Sequence, residues 1–209
     1  MDHRTQEKVD KNVKILSTIG SYFYGRELML STSGNLSSVL NEKPFELMIS
    51  ASGVEKGDLN GKTFIIVNSS GERIQGEMKP SAETLLHIAV VKTTGAKFVF
   101  HTHSVYSTLV SCKYKNLGEI ILEGYEMLKA LNGVNSHLHK EVIPILENRQ
   151  DMLSLSKVVE EMLSKKENLH CFLLSGHGLY TWGNSSEEAK RHLDALEFLL
   201  EVFWLSNNS

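Results

Sequence analysis

The chain has 209 residues, of which 41% are hydrophobic and 22% charged, and its formal net charge is −3. This composition is typical of a globular protein in water, and it favours neither nucleic acid nor an anionic membrane as a partner. Only two cysteines are present, so we expect no disulfide framework. Because the polar N-terminus lacks a signal peptide and no apolar run reaches membrane-spanning length, we expect one cytoplasmic domain over residues 1–209.

The first part of the chain predicts one helix and then several short strands. Apolar residues recur every three or four positions through residues 5–29, which is typical of an amphipathic helix. Short strands are predicted at 31–40 and 44–50. Residues 63–76 predict a hairpin that turns at Asn68-Ser69-Ser70-Gly71.

The remainder of the chain alternates strands and helices. Helices are predicted at 81–95, 105–112, 125–131, 150–166 and from the capping residue Ser185 onward. Strands are predicted at 96–103, 119–124, 141–146 and, as a pair bending at Gly176-His177-Gly178, at 170–183. The pattern predicts an α/β fold: a layered single domain with a central mixed or antiparallel sheet flanked by helices.

The segment "HTHS" ends an apolar strand with two histidines, His101 and His103. Alternate residues of a strand share one face, so the two imidazoles project side by side. This spacing suits a divalent transition metal, zinc first. The alternative is a pair of histidines that hydrogen-bond at the end of a strand.

His177, in "SGHG", is the candidate for a third ligand. It lies between two glycines directly after an apolar strand, where the backbone can bend and approach a site closely. A catalytic zinc keeps three protein ligands and one open position. His137 and His139 repeat the paired spacing, but in a polar stretch where surface histidines are the simpler interpretation.

Two carboxylates are candidates for proton transfer. Glu83 begins a helix after "KPSA", and Glu126 lies in "EGYEM", where a strand passes into a helix. The alternative for each is a carboxylate that only stabilises the positive end of a helix dipole.

Three turns rich in small residues precede the histidines: "STSGN" at 31–35, "SASG" at 50–53 and "KPS" at 79–81. Such turns offer backbone N–H groups and hydroxyls that suit a phosphate. Each alone is only a turn, but the three together favour a phosphorylated substrate.

The ordered set "SGN", "SASG", "KPSAE", "HTHS" and "GHG" resembles the class II aldolase/adducin family over residues 10–203. The segments "GYEM" and "LYTWG" resemble a branch of dehydratases within it. This resemblance implies a mixed α/β layer, a zinc ion in each subunit, a small phosphorylated sugar-like substrate and a homo-oligomer, usually a cyclic tetramer with sites near subunit interfaces.

The resemblance also implies roles for individual residues. The zinc ligands are His101, His103 and His177; the phosphate contacts are Asn35, Ser52, Gly53 and Ser81, with Gly34 shaping its turn. Glu126 matches the acid/base of the family's dehydratases, and Glu83 the catalytic glutamate of its aldolases. An aldolase or epimerase, and a non-catalytic adducin-like scaffold, are the alternative functions.

Overall fold

The computed structural model describes residues 3–207, and within this range the chain forms five α-helices and nine β-strands. The helices are α1 (His3–Gly25), α2 (Thr84–Thr94), α3 (Val105–Tyr114), α4 (Met152–Lys165) and α5 (Ser186–Ser206). The strands are β1 (Asn35–Glu42), β2 (Phe45–Ser50), β3 (Phe64–Val67), β4 (Arg73–Gln75), β5 (Phe98–Thr102), β6 (Glu119–Leu122), β7 (Glu141–Leu146), β8 (Cys171–Leu174) and β9 (Gly178–Gly183). Short 3₁₀ helices occur at Lys56–Asp58, Lys115–Leu117 and Glu126–Ala130.

The strands form one sheet in the order β4-β3-β2-β1-β5-β9-β8-β7-β6. Every neighbouring pair is antiparallel except β7 and β8, which are parallel and are joined through α4. A parallel pair needs such a crossover connection, whereas the tight turns elsewhere give antiparallel pairs. The predicted mixed sheet flanked by helices is therefore confirmed.

Helices cover both faces of the sheet, and the side chains of β5 contact helices on each face. The His101 ring lies beside Tyr180, whose ring meets His87 of α2 edge-on at 5.8 Å. On the other face, Thr102 Oγ1 donates to Glu197 Oε1 of α5 at 2.5 Å. The side chains of β5 thus alternate between the α2 layer and the α5 layer.

The direction of the strands defines two ends of the sheet. The C-terminal ends of β5, β7 and β8 lie at the same end as the N-terminal ends of β1 and β9. The C-terminal ends of β6 and β9 lie at the other end, because β6 runs antiparallel to β7. We call these the histidine end and the distal end.

One predicted helix differs from the structure. Residues 125–131 form only the 3₁₀ helix Glu126–Ala130, between Gly124 at φ 87° and Gly133 at φ 77°. The segment between these two turns is too short for several α-helical turns. None of the helices in the described range is long and apolar enough to cross a membrane.

Candidate metal and substrate site

β5 delivers His101 and His103 to the histidine end of the sheet. Their Nε2 atoms lie 2.8 Å apart. The backbone N–H of His103 donates to Leu28 O at 3.0 Å, which fixes the chain just beyond the strand. The following residue, Ser104, caps α3 by accepting from Ser107 N–H. "HTHS" therefore combines a side-chain pair with the start of the next helix.

The ring of His101 is held in one orientation and one tautomer. Its Nδ1 lies 2.9 Å from Leu179 O, and since a carbonyl oxygen only accepts, Nδ1 carries the proton. The Nε2 lone pair is then free to bind a metal. The ring also stacks on Tyr180 (centroids 3.9 Å, 13°), which stacks on Phe172 (4.8 Å, 5°).

His177 reaches the pair from the turn between β8 and β9. Gly176 adopts φ +66°, and a Cβ on Gly178 would lie 1.9 Å from Thr102 O. Only glycine permits that approach of one backbone to the other. As a result, His177 Nε2 lies 3.4 Å from His101 Nε2.

Glu83 joins the three histidines from the start of α2. Its Oε1 is 2.9 Å from His177 Nε2 and 3.3 Å from His101 Nε2. Asn35 Nδ2 donates to its other oxygen. Burial opposes ionisation of this carboxyl, but the neighbouring His101 and His177 outweigh it and hold the pKa of Glu83 well below its usual range.

The histidine triad of His101, His103 and His177, together with Glu83, is here called the triad cluster. Its arrangement fits a metal ion. One ligand atom from each residue lies within 4.8 Å of all the others. In a tetrahedral zinc site with bonds of about 2.0–2.1 Å, neighbouring ligand atoms are about 3.3 Å apart, and the separations found here are 2.8–3.4 Å. Burial, with His101 and His177, lowers the pKa of His103 to about 3, so its imidazole is neutral as ligation requires.

A cavity of about 460 Å³ opens beside the triad cluster, a size that suits a small ligand. All three small-residue turns reach it, and the predicted phosphate contacts line it: Gly34, Asn35, Ser52, Gly53 and Ser81. Gly34 has φ +75°, and a Cβ there would lie 2.6 Å from His101 O, so this turn packs directly on the histidine strand. The structure brings these five residues together with Glu83, His103 and His177 around one cavity.

Glu126 lies elsewhere. It follows β6 at the distal end of the sheet and is absent from the cavity lining. Its side chain is 69% exposed and pairs with Lys129 and, at 3.6 Å, with His137 Nδ1. Within one copy of the chain, Glu126 therefore does not meet the triad cluster.

The cavity has further lining residues that the sequence interpretation missed. Lys56 is 1% exposed and lies beside the turns, and Asn148 and Gln150 enter from the loop after β7. A lysine three residues after the "SASG" turn was the available signal for Lys56. Asn148 and Gln150 carry no comparable signal, because only the parallel pairing of β7 with β8 brings their loop to the histidine end.

Comparisons with known proteins point in one direction. A family model described as Class II Aldolase and Adducin N-terminal domain matches residues 14–204. The methylthioribulose-1-phosphate dehydratase of Methylococcus capsulatus is 40% identical over 184 residues, 88% of each chain. The enzyme of the same name from Hahella chejuensis is 38% identical over 184 residues, 87% of this chain and 86% of its own.

Solved structures share the fold at lower identity. YgbL of Escherichia coli superposes with a TM-score of 0.79 at 23% identity, covering 94% of this chain and 90% of its own. The L-fuculose-1-phosphate aldolase of Thermus thermophilus gives a TM-score of 0.71 at 20% identity, covering 96% and 95%. At this identity the likeness concerns the fold alone.

Proposed function

The chain belongs to the class II aldolase and adducin family, and we propose that it is a zinc-dependent dehydratase of methionine salvage. Its reaction would convert 5-methylthioribulose 1-phosphate to 2,3-diketo-5-methylthiopentyl 1-phosphate in the cytoplasm. The observation that carries the proposal is the cavity that joins a three-histidine cluster to three phosphate-suited turns. Two relatives near 40% identity over almost the whole chain bear the name of this dehydratase.

His101, His103 and His177 would hold one zinc ion per subunit. When bound, zinc supplies a Lewis acid that polarises the substrate carbonyl and makes the neighbouring C–H bond more acidic. The fixed tautomer of His101 keeps its Nε2 lone pair available for this purpose. Glu83 is placed to bind the ion at rest or to transfer a proton beside it, since its Oε1 lies 2.9 Å from His177 Nε2.

The turns would bind the phosphate group and so fix the position of the sugar carbons. Gly34 and Gly53 both have φ +75°, which exposes backbone N–H groups that a side-chain-bearing residue rarely could. Ser52 and Ser81 add hydroxyls at the rim of the same cavity. Anchoring one end of the substrate holds C3 in a single orientation, which lowers the entropic cost of reaching the transition state.

Glu126 is the proposed acid/base, and its position in one copy leads us to propose that it acts on a second copy. A homotetramer with sites between subunits would bring the exposed Glu126 of one subunit to the triad cluster of the next. Met127, next to Glu126, and Phe198, which lines the same surface pocket as Met127, expose apolar surface that such an interface would cover. The carboxylate would take the C3 proton, the C4–O bond would break as the leaving hydroxyl is protonated, and the resulting enol would become the 3-ketone.

The direct test is incubation of zinc-loaded protein with 5-methylthioribulose 1-phosphate, followed by mass spectrometry. We expect loss of one water, and loss of the activity with a chelator. Glu126→Gln should retain zinc and lose turnover by about 100-fold or more. Formation of no diketone by fully zinc-loaded protein would rule out the proposal.

The contribution of Glu126 across copies has its own test. Mixing Glu126→Gln with His103→Ala subunits should restore up to about a quarter of the wild-type activity, since some sites then combine an intact triad with an intact glutamate. No recovery on mixing, despite formation of hybrid oligomers, would place Glu126 outside the partner's site.

A second candidate function is an aldolase or epimerase, and it is favoured by Glu83. This carboxylate, unlike Glu126, lies inside the cavity next to the histidines. Product analysis distinguishes the two reactions, because retro-aldol cleavage gives two fragments and dehydration gives one diketone. A non-catalytic scaffold would show neither product and would contain no zinc.

A further inference from the structure

Lys56 is a buried cation beside the small-residue turns. It is 1% exposed and lines the same cavity as the turns. Its Nζ donates to Thr32 O at 2.9 Å and to Val54 O at 2.6 Å. Because an ammonium group has three N–H donors, one remains for another acceptor.

The backbone around Lys56 is firmly placed. The 3₁₀ helix Lys56–Asp58 packs on α1 at Gly20, where a Cβ would lie 2.7 Å from Lys56 O. Ser21 Oγ donates to Gly57 O at 3.0 Å in the same contact. The backbone is thus held against α1, and the side chain extends from it to Thr32 O and Val54 O.

The charge of Lys56 lacks a carboxylate partner. Among the ion pairs of residues 3–207, none includes Lys56, although Glu83 and His103 both lie close enough to interact with it electrostatically. Burial lowers the pKa of this lysine to about 8, which leaves it mostly protonated at neutral pH. A buried charge paired only with two carbonyls is costly, and an anion in the cavity would offset that cost.

We propose that Lys56 binds the phosphate group of the substrate, with its third N–H directed to the space between the turns at 31–35 and 50–53. The inference rests on the proposed function in taking a phosphorylated compound as the occupant of the cavity. Lys56 would supply the one buried cation that the described part of this cavity offers to the phosphate. The alternative role is purely structural, in which the lysine only ties the two turns together.

The experiment is a calorimetric titration of zinc-loaded protein with inorganic phosphate. Lys56→Met keeps the length of the side chain and removes its charge, and Lys62→Met, at an exposed lysine of the following loop, is the matched control. We expect phosphate affinity to fall by about tenfold or more in Lys56→Met, since this variant loses a charge-assisted hydrogen bond to the phosphate. Lys62→Met and the zinc content of both variants should match the wild type.

Lys56→Gln serves as a second variant, because it keeps donors for the carbonyls while losing the charge. Equal phosphate affinity in the wild type and in either folded Lys56 variant would overturn the proposal. With 5-methylthioribulose 1-phosphate as substrate, the loss should appear mainly in KM, whereas a purely structural lysine would lower kcat and thermal stability together. The phosphate titration does not depend on turnover, so a failure of the proposed reaction and a failure of the Lys56 assignment give different results.

Discussion

Histidines and glutamates cluster at both ends of the sheet, and the two clusters differ in whether their ring nitrogens are available to bind a ligand. At the histidine end, the triad cluster combines three imidazoles with Glu83. At the distal end, His139 and His170 contact the buried carboxylate of Glu141, and the His192 ring meets the His170 ring edge-on at 5.2 Å; these four residues are the distal cluster. Within residues 3–207, only the triad cluster has its ligand atoms all within 4.8 Å of one another.

The ring nitrogens of the distal cluster are already used by the fold. His192 Nδ1 donates to Trp182 O at 2.8 Å, and its Nε2 accepts from Asn132 N–H at 3.0 Å. His170 Nε2 donates to Asn132 O at 2.8 Å, and its Nδ1 lies 3.0 Å from Glu141 Oε1. Residue types alone thus do not indicate a metal site; ring nitrogens that converge on one point and are not already bonded to the backbone do.

The largest expected effect comes from removing a ligand of the triad cluster. His103→Ala should lower zinc affinity by more than about 100-fold, beyond the usual effect of changing a residue that only supports a ligand, and turnover should fall with it. Elemental analysis after dialysis and a turnover assay measure both. His139→Ala, in the distal cluster, should bind zinc at the triad cluster as the wild type does. Loss of zinc from this variant as well would show that the two clusters do not differ in zinc binding.

Gly178→Ala tests the turn that delivers His177. The new Cβ would lie 1.9 Å from Thr102 O, so β5 and β9 must separate, at a cost of more than about 3 kcal/mol in unfolding free energy. Chemical denaturation measures the loss, and zinc affinity should fall as well. Gly61→Ala is the control, since no atom lies within 4 Å of its added Cβ. Equal stability of the two variants would show that the turn relaxes easily.

Glu141→Ala should lower stability without loss of zinc, in contrast to His103→Ala. Glu141 is 1% exposed, and its removal leaves the buried His170 without its carboxylate partner, which typically costs about 3–5 kcal/mol when the pair is charged. Denaturant unfolding and elemental analysis give the two readouts. Glu123→Ala removes an exposed carboxylate paired with Lys140 and should change little.

The smallest expected effect is a dependence of stability on pH from the distal cluster. Burial opposes protonation of His170, but the hydrogen bond and charge of Glu141 raise its pKa above the ordinary value of 6.5. The folded state then binds more protons than the unfolded state above pH 6.5, so this contribution is present below 6.5 and is lost as pH rises through the folded pKa. The slope is at most about 1.4 kcal/mol per pH unit for one proton.

Comparison of unfolding curves for the wild type and Glu141→Gln isolates this effect. The difference in unfolding free energy should be largest at mildly acidic pH and should shrink as pH rises. A difference that stays constant from pH 5 to about 9 would mean that His170 does not titrate with this carboxylate.

Sequence periodicity predicted most of the elements, because alternation and helical spacing report directly which face of a segment is buried. It failed at residues 125–131, where five residues between two glycine turns form a 3₁₀ helix. Of the site, the paired spacing of His101 and His103 follows from strand geometry alone. Predicting His177 as the third ligand required the glycines of its turn and the family resemblance, because 73 residues lie between it and His103.

The sequence by itself determined the class of the fold, the histidine pair, the small-residue turns and the family. Those features depend on local spacing, which a chain carries before it folds. Only the tertiary structure decided that Glu83 lies beside the histidines, that Glu126 lies at the distal end, and that Lys56 is a buried cation next to the turns. The physical reason is that strand order and direction set which distant residues meet, and no local pattern encodes that order.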